Sequence, residues 1–314
     1  MSLLYLIIGL ILLVLGGEYL VRSSVGLSLK LKLSRIVIGM TVVSFATSLP
    51  ELIVSIKAAF SGHPDIALSN VVGSNIANIA LVLGVTAILT PIFVKRSSYR
   101  FNIPMMILIS ILLYIFLKND HVLSFIEGLI LFIFLIIFII LIIRASRTAA
   151  NVEIDDIDED VQESSIIRII FWLVVGGAAL WGGAELLLKG AVELAKQIGV
   201  SERVIGVSVI AIGTSIPELA ASVIAALKKE KDLSLGNLIG SNIFNIGSVL
   251  GITAMIKPIK EFDLKIINHD ILWMIGISLL IIPFALVSRR HKLGWIEGSF
   301  YLLLYAVFIY LSFD

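Results

Sequence analysis

Two glutamates stand inside apolar segments, each next to a proline: Thr47-Ser48-Leu49-Pro50-Glu51 and Thr214-Ser215-Ile216-Pro217-Glu218. A carboxylate in so apolar a setting is costly and marks a functional site by default. At helical spacing Ser44, Thr47, Ser48, Glu51 and Ser55 share one stripe, as do Thr214, Ser215, Glu218 and Ser222. Asn70, Ser74 and Asn78 recur at every fourth position, and so do Asn237, Ser241 and Asn245. Brought together, these side chains are hard oxygen donors, which suit Na⁺, Ca²⁺, Mg²⁺ or Mn²⁺ rather than metals that prefer sulfur and imidazole. Cysteine is absent, and His63, His121, His269 and His291 fall at predicted span ends or loops, which disfavours zinc or copper. Two carboxylates balance one Ca²⁺ in charge, and flexible coordination by about six to eight oxygens suits Ca²⁺ better than the rigid, water-retaining Mg²⁺.

The prolines bear on the backbone as well. Pro50 lacks an amide hydrogen and crowds the carbonyl of Ala46, and Pro217 does the same to Gly213, so each helix is expected to break there. The loosened carbonyls near 46–47 and 213–214 would have to face protein, water or an ion. Serines and threonines also serve as glue between membrane helices, and proline kinks can be purely structural. That reading suits individual hydroxyls better than the glutamates, where charge, proline and repetition coincide. Glu18 and Glu185, near predicted span ends, read as structural, and Asn75 and Asn242 stay open between the two roles. Gly73 and Gly240 are expected to let neighbouring helices approach closely.

The elements that must position these residues come from a duplication. Thr47 to Glu51 recurs at Thr214 to Glu218, and Gly73-Ser74-Asn75-Ile76-Ala77-Asn78 recurs as Gly240-Ser241-Asn242-Ile243-Phe244-Asn245, always 167 residues on. Hydrophobic residues form 59% of the 314 positions and mean hydropathy is +1.07, which excludes an ordinary soluble domain. Runs of the length needed to cross a bilayer, roughly 20 residues, recur throughout. We read ten: 3–22, 36–59, 66–89, 102–117, 122–143, 166–188, 204–227, 234–256, 270–288 and 294–313. The first has no basic residue ahead of it and is too long for a signal peptide, so it reads as a retained span. Of the 24 basic residues, 16 lie on the face bearing the loops after odd-numbered spans, which makes that face cytoplasmic and places both termini outside.

The expected fold is therefore an all-α membrane protein of ten transmembrane helices in two inverted five-helix repeats. Residues 1–144 form the first repeat, with its motif region at 39–91, and 166–314 the second, with its motif region at 206–258. Five spans per half is odd, so the second copy enters the membrane from the opposite side, as in alternating-access transporters with a midplane site. Residues 145–165 read as an acidic cytoplasmic linker. Its Asp156, Asp158 and Asp160 have the alternate spacing of a calcium loop, but Val161 stands where such a loop needs glycine.

These motifs resemble the signature of the cation/Ca²⁺ exchanger superfamily, whose two alpha repeats carry G-T-S-x-P-E/D followed by G-S-N-x-x-N/D. The chain looks most similar to the prokaryotic Na⁺/Ca²⁺ exchangers, which are compact ten-helix proteins. The resemblance implies a central Ca²⁺ site using Glu51, Glu218 and oxygens of Thr47 and Thr214. Flanking Na⁺ sites would draw on Ser48, Ser74, Ser215 and Ser241 and on carbonyls including those of Ser44 and Ala211, with Asn78 and Asn245 lining the centre. Ala46 replaces the usual glycine of the first repeat, and Asn245 stands where K⁺-dependent relatives have aspartate, which argues against K⁺ cotransport.

The implied activity is antiport: Ca²⁺ export driven by the inward Na⁺ gradient, with spans 1 and 6 moving against the rest. The transported ions are Ca²⁺ and Na⁺, the setting is a lipid bilayer, expected to be a prokaryotic cell membrane, and no enzyme, cofactor or nucleic-acid partner is expected. A Ca²⁺/H⁺ exchanger of the same fold and a passive cation channel are the competing readings. An intramembrane hydrolase is weaker, because no His-Glu-x-x-His pattern occurs.

Overall fold

The computed structural model describes residues 1–148, 164–198, 213–260, 262–287 and 291–312. Its helices, in chain order, are α1 Ser2–Leu31, α2 Arg35–Thr47, α3 Leu49–Phe60, α4 Pro64–Leu89, α5 Ser98–Asp120 and α6 Phe125–Thr148. They continue with α7 Ile166–Gln197, α8 Ile216–Leu227, α9 Lys231–Ile256, α10 Ile266–Val287 and α11 Trp295–Ser312. Among the described residues eight helices are long and apolar enough to cross a membrane, or nine if α2 and α3, bent by 44°, form one broken span. The first half of the predicted seventh span, with Ala211, and the aspartates of the linker lie outside the described residues.

The first and sixth predicted spans are longer than hydropathy suggested. α1 has 30 residues and α7 has 32, because polar stretches such as Arg22-Ser23-Ser24 continue the helix where the apolar run ends. α1 stops at Lys32, whose left-handed backbone (φ 54°) returns its N–H to the carbonyls of Ser28 and Leu29. The two helices pack antiparallel through glycines. A Cβ on Gly9 would come within 2.8 Å of the Gly183 carbonyl, and one on Gly16 within 2.9 Å of the Gly176 carbonyl. Across the 167-residue offset Gly9 corresponds to Gly176 and Gly16 to Gly183, so each contact is the counterpart of the other with the copies exchanged.

The same exchange recurs elsewhere. Gly84 packs on Gly298 and Gly251 on Gly128. Two short antiparallel bridges join β1 (Ile92–Phe93) to β4 (Lys292–Leu293) and β2 (Val122–Leu123) to β3 (Ile259–Lys260), again linking the halves. α4 and α9 occupy the centre, with 78% and 83% of their most apolar stretches buried against 22% for α7, so the other helices shield them from lipid. On the outer surface α1 presents Leu3, Ile7, Leu10, Ile11 and Val14, as expected of a lipid-facing helix.

Ion pairs cross between the halves. Arg35 binds both oxygens of Glu230 at 2.8 and 2.9 Å, Lys95 meets Asp232 at 2.6 Å, and Lys228 meets Glu18 at 2.7 Å. The last gives Glu18 the structural role expected of it. Burial raises the Glu230 carboxyl above the usual carboxylate range, and the Arg35 guanidinium works against that rise.

Candidate ion site

Both glutamates open a helix. The chain breaks at Ser48, not at Pro50 itself: Ser48 has φ −86° and ψ 2°, and Ser215, its counterpart, has φ −88° and ψ 1°. α3 and α8 then restart with the proline in the first turn, where its missing N–H costs nothing. Glu51 and Glu218 fall in these first turns, so each carboxylate sits at the positive end of a helix dipole. Both are fully buried.

Around them the polar side chains divide into two groups. Thirteen buried side-chain polar atoms among the described residues have no hydrogen-bond partner, and nine of these belong to Ser48, Glu51, Asn78, Ser215, Glu218 and Asn245. Those six residues are three pairs of repeat counterparts. The nine atoms are eight oxygens, including all four carboxylate oxygens, and the Asn78 amide nitrogen. One unpaired buried polar atom costs about 1–3 kcal/mol, and an unpaired buried charge costs several kcal/mol more. A cation would satisfy the eight oxygens, though not the amide nitrogen. Among the described residues no group of three or more His, Asp or Glu could hold a metal, so the donors here are two carboxylates set among neutral oxygens.

The second group is already paired. Asn70 Nδ2 donates to Ser55 Oγ at 3.0 Å and to the Glu51 carbonyl at 3.2 Å, and Asn237 Nδ2 donates to Ser222 Oγ at 3.0 Å. Thr47 Oγ1 lies 3.3 Å from both Asn237 Oδ1 and Ser241 Oγ and 3.4 Å from the Ser44 carbonyl. Ser44 Oγ lies 2.8 Å from the Gly39 carbonyl and 3.0 Å from that of Asn237. The Ser44 carbonyl accepts from the Ser48 N–H at 2.9 Å. Thr214 is half-buried where Thr47 is fully enclosed.

The halves meet at the asparagines. Asn75 donates to the carbonyl of Asn242, its own counterpart, at 3.2 Å, while Asn242 turns its amide to Leu238 at 2.8 Å. Asn245 Nδ2 reaches Ser74 Oγ and Asn75 Oδ1, both at 3.1 Å, whereas Asn78 makes no such bond. Asn75 and Asn242 are thus part of the seam, and the two central asparagines are not equivalent.

Glu51, Glu218, Thr47, Ser48, Ser215, Ser74, Ser241, Asn78, Asn245 and Ser44 are all buried, on α2, α3, α4, α8 and α9 or at the breaks that precede α3 and α8. Two features escaped the sequence. π-helical turns begin at Asn78 and at Asn245, inserting a residue where each central asparagine sits. Gly73 does not face a neighbour, with nothing within 4 Å of its Cβ position, whereas at Gly240 a Cβ would meet Met40 Cα at 2.5 Å. Only the second of these glycines serves close helix packing.

A family model described as sodium/calcium exchanger protein matches residues 1–144 and 168–313. The putative antiporter CaxA of Alkalimonas amylolytica is 35% identical, aligned over 99% of this chain and 98% of its own length. The sodium/calcium exchanger MaX1 of Methanosarcina acetivorans is 30% identical over 99% of this chain and 98% of its own. Among solved structures, the sodium-calcium exchanger NCX_Mj soaked without Na⁺ and Ca²⁺ superposes with a TM-score of 0.84 at 31% identity, covering 98% of this chain and 97% of that one.

Proposed function

The chain belongs to the sodium/calcium exchanger protein family, and from that premise we propose that it is a secondary antiporter of a prokaryotic cell membrane, exporting Ca²⁺ against Na⁺ entry. The observation that carries this reading is the set of eight unpaired buried oxygens on Ser48, Glu51, Asn78, Ser215, Glu218 and Asn245. Ca²⁺ takes about six to eight oxygens in flexible geometry, which this donor set can supply. Glu51 and Glu218, with Thr47 and Thr214, hold Ca²⁺; Ser48, Ser74, Ser215 and Ser241, with the carbonyls of Ser44 and Ala211, serve Na⁺. Asn78 and Asn245 line the centre.

With both glutamates ionised, one bound Ca²⁺ leaves the site neutral, and so do two Na⁺. A third Na⁺ would carry net charge. Because the two ions draw on the same carboxylates, binding of one expels the other, and that competition is what couples their fluxes.

The architecture we assign is ten spans in two inverted repeats, residues 1–144 and 166–314, joined by a cytoplasmic linker at 145–165, with both termini outside. The exchanged glycine and strand contacts support a twofold relation between the halves. Access alternates as α1 and α7 move together across the other helices.

The test is ⁴⁵Ca²⁺ uptake into Na⁺-loaded proteoliposomes on dilution into Na⁺-free buffer, with K⁺ absent and pH clamped. Uptake that disappears when internal Na⁺ is replaced by choline establishes the coupling. Uptake driven only by a proton gradient would reassign the counter-ion.

A further inference from the structure

Asn237 lies where α9 passes closest to α2. A Cβ on Gly39 would stand 3.0 Å from its backbone nitrogen, and its carbonyl lies 3.0 Å from Ser44 Oγ. Its side chain contacts both repeats at once. Asn237 Oδ1 is 3.3 Å from Thr47 Oγ1 in the first repeat and 3.4 Å from Ser241 Oγ in the second, while Nδ2 donates at 3.0 Å to Ser222 Oγ on α8. An amide oxygen has two lone pairs and can accept from both hydroxyls; for Thr47 it is a nearer acceptor than the Ser44 carbonyl at 3.4 Å, and a hydroxyl that donates to it keeps its oxygen lone pairs free.

Asn70, the counterpart in the first repeat, does only half of this. It donates to Ser55 Oγ at 3.0 Å and to the Glu51 carbonyl at 3.2 Å, both within its own repeat, and among the described residues it makes no hydrogen bond to Thr214.

We propose that Asn237 is a positioning residue of the ion site: its side-chain oxygen turns the hydroxyl oxygens of Thr47 and Ser241 toward a cation, while its nitrogen ties them to α8, the helix that Glu218 opens. One side chain then fixes the separation of Thr47 from Glu218 across the repeat boundary, and among the described residues no side chain does so for Thr214 and Glu51. The two repeats therefore contribute unequally to affinity. This rests on the reading that Thr47 and Glu218 share an ion. It differs from that reading in assigning Asn237 no contact with the ion.

The test uses Ca²⁺-dependent thermal stabilisation of the full-length protein in detergent, which reports binding whatever the counter-ion. Asn237→Leu, close to the amide in shape, is expected to raise the half-saturating Ca²⁺ concentration about tenfold, since each hydrogen bond lost corresponds to roughly a fivefold change. Asn70→Leu is expected to raise it by less than about threefold. Ser222→Ala is gentler and removes only the acceptor of the Asn237 amide nitrogen; it should weaken Ca²⁺ about threefold, whereas Ser55→Ala should not. If Asn237 acts through Thr47, Asn237→Leu should add little in a Thr47→Ala background, because residues sharing one interaction are not additive.

Losses that multiply in the double variant would overturn the proposal, as would equal effects of Asn237→Leu and Asn70→Leu. So would an Asn237→Leu protein of lowered ion-free stability but unchanged Ca²⁺ dependence, which would make the residue merely structural. If Asn237→Leu does not fold, matched responses of Ser222→Ala and Ser55→Ala have the same force. A wild-type protein whose unfolding ignores Ca²⁺ would refute the ion site itself, and this inference with it.

Discussion

Alanine at Gly176 should force α1 and α7 apart. Its Cβ would lie 2.7 Å from the backbone nitrogen of Leu20, 2.8 Å from the Gly16 carbonyl and 3.1 Å from Leu20 Cα, where ordinary contact begins at 3.4 Å. All three neighbours are backbone atoms, so no rotamer change relieves the overlap. The helices must separate locally by roughly 0.7 Å, a gap of the size that forfeits a quarter to a half of each dispersion contact across it. We expect a loss of about 1–3 kcal/mol, the usual cost of overpacking. Gly182 supplies the control on the same helix: nothing lies within 4 Å of its Cβ position. Alanine there should stabilise by about 0.5–1 kcal/mol through helix propensity alone. Thermal unfolding in one detergent, without added ions, measures both. In proteoliposomes Gly176→Ala should also slow exchange while Gly182→Ala leaves it near the wild-type rate. Equal destabilisation by both substitutions, or none by Gly176→Ala, would show that the glycine contacts do not set the α1–α7 distance.

Glu51→Gln and Glu218→Gln should each abolish Na⁺-driven Ca²⁺ uptake without lowering ion-free thermal stability, because an unpaired amide is cheaper to bury than an unpaired carboxylate; wild-type rates in both would sink the site. Asn78→Ala should leave ion-free stability unchanged or raised by about 1 kcal/mol while weakening Ca²⁺ binding, whereas Asn245→Ala, which strips two hydrogen bonds, should cost about 1–3 kcal/mol; matched thermal shifts would contradict the asymmetry of the seam. Arg35→Ala should cost about 1–3 kcal/mol, less than a fully buried pair, since the partners are 22% and 14% exposed. Glu230 has a raised pKa, so the folded protein holds its proton more tightly than the unfolded chain does, and stability falls as pH rises through that pKa. Removing Arg35 raises it further, so thermal unfolding should reveal a larger loss in mildly alkaline than in mildly acidic buffer, and Glu230→Gln should abolish this dependence.

Much of this was legible from residue types alone. Duplication at a fixed offset located both glutamates, their prolines and the asparagine ladders, because a polar residue repeated inside an apolar run has few reasons to persist. Hydropathy failed where polar residues continue a helix: Arg22, Ser23 and Ser24 end the apolar run of α1 but not its hydrogen bonding. The π turns at Asn78 and Asn245 left no trace, since an inserted residue leaves local composition unchanged. Spacing along one helix also said nothing of partners on another. Spacing placed Asn237 on one face with Ser241 and Asn245, yet its amide is spent on Thr47, Ser222 and Ser241. The same limit concealed why Gly240 is needed and Gly73 is not.

The bond from Asn75 to its own counterpart has a consequence that no single repeat contains. An asparagine amide can both give and receive, so a residue meeting its own copy could bond to it reciprocally and leave the copies equivalent; here it does not. Asn75 gives to the Asn242 carbonyl, its Oδ1 is left to receive from Asn245, and Asn242 has turned its amide to Leu238 instead. Asn78 is thereby left with nothing to hold. The one-way bond at the junction thus goes with two unequal central amides, one held by Ser74 and Asn75 and the other without a partner, and the two faces of the membrane meet different sides of that inequality.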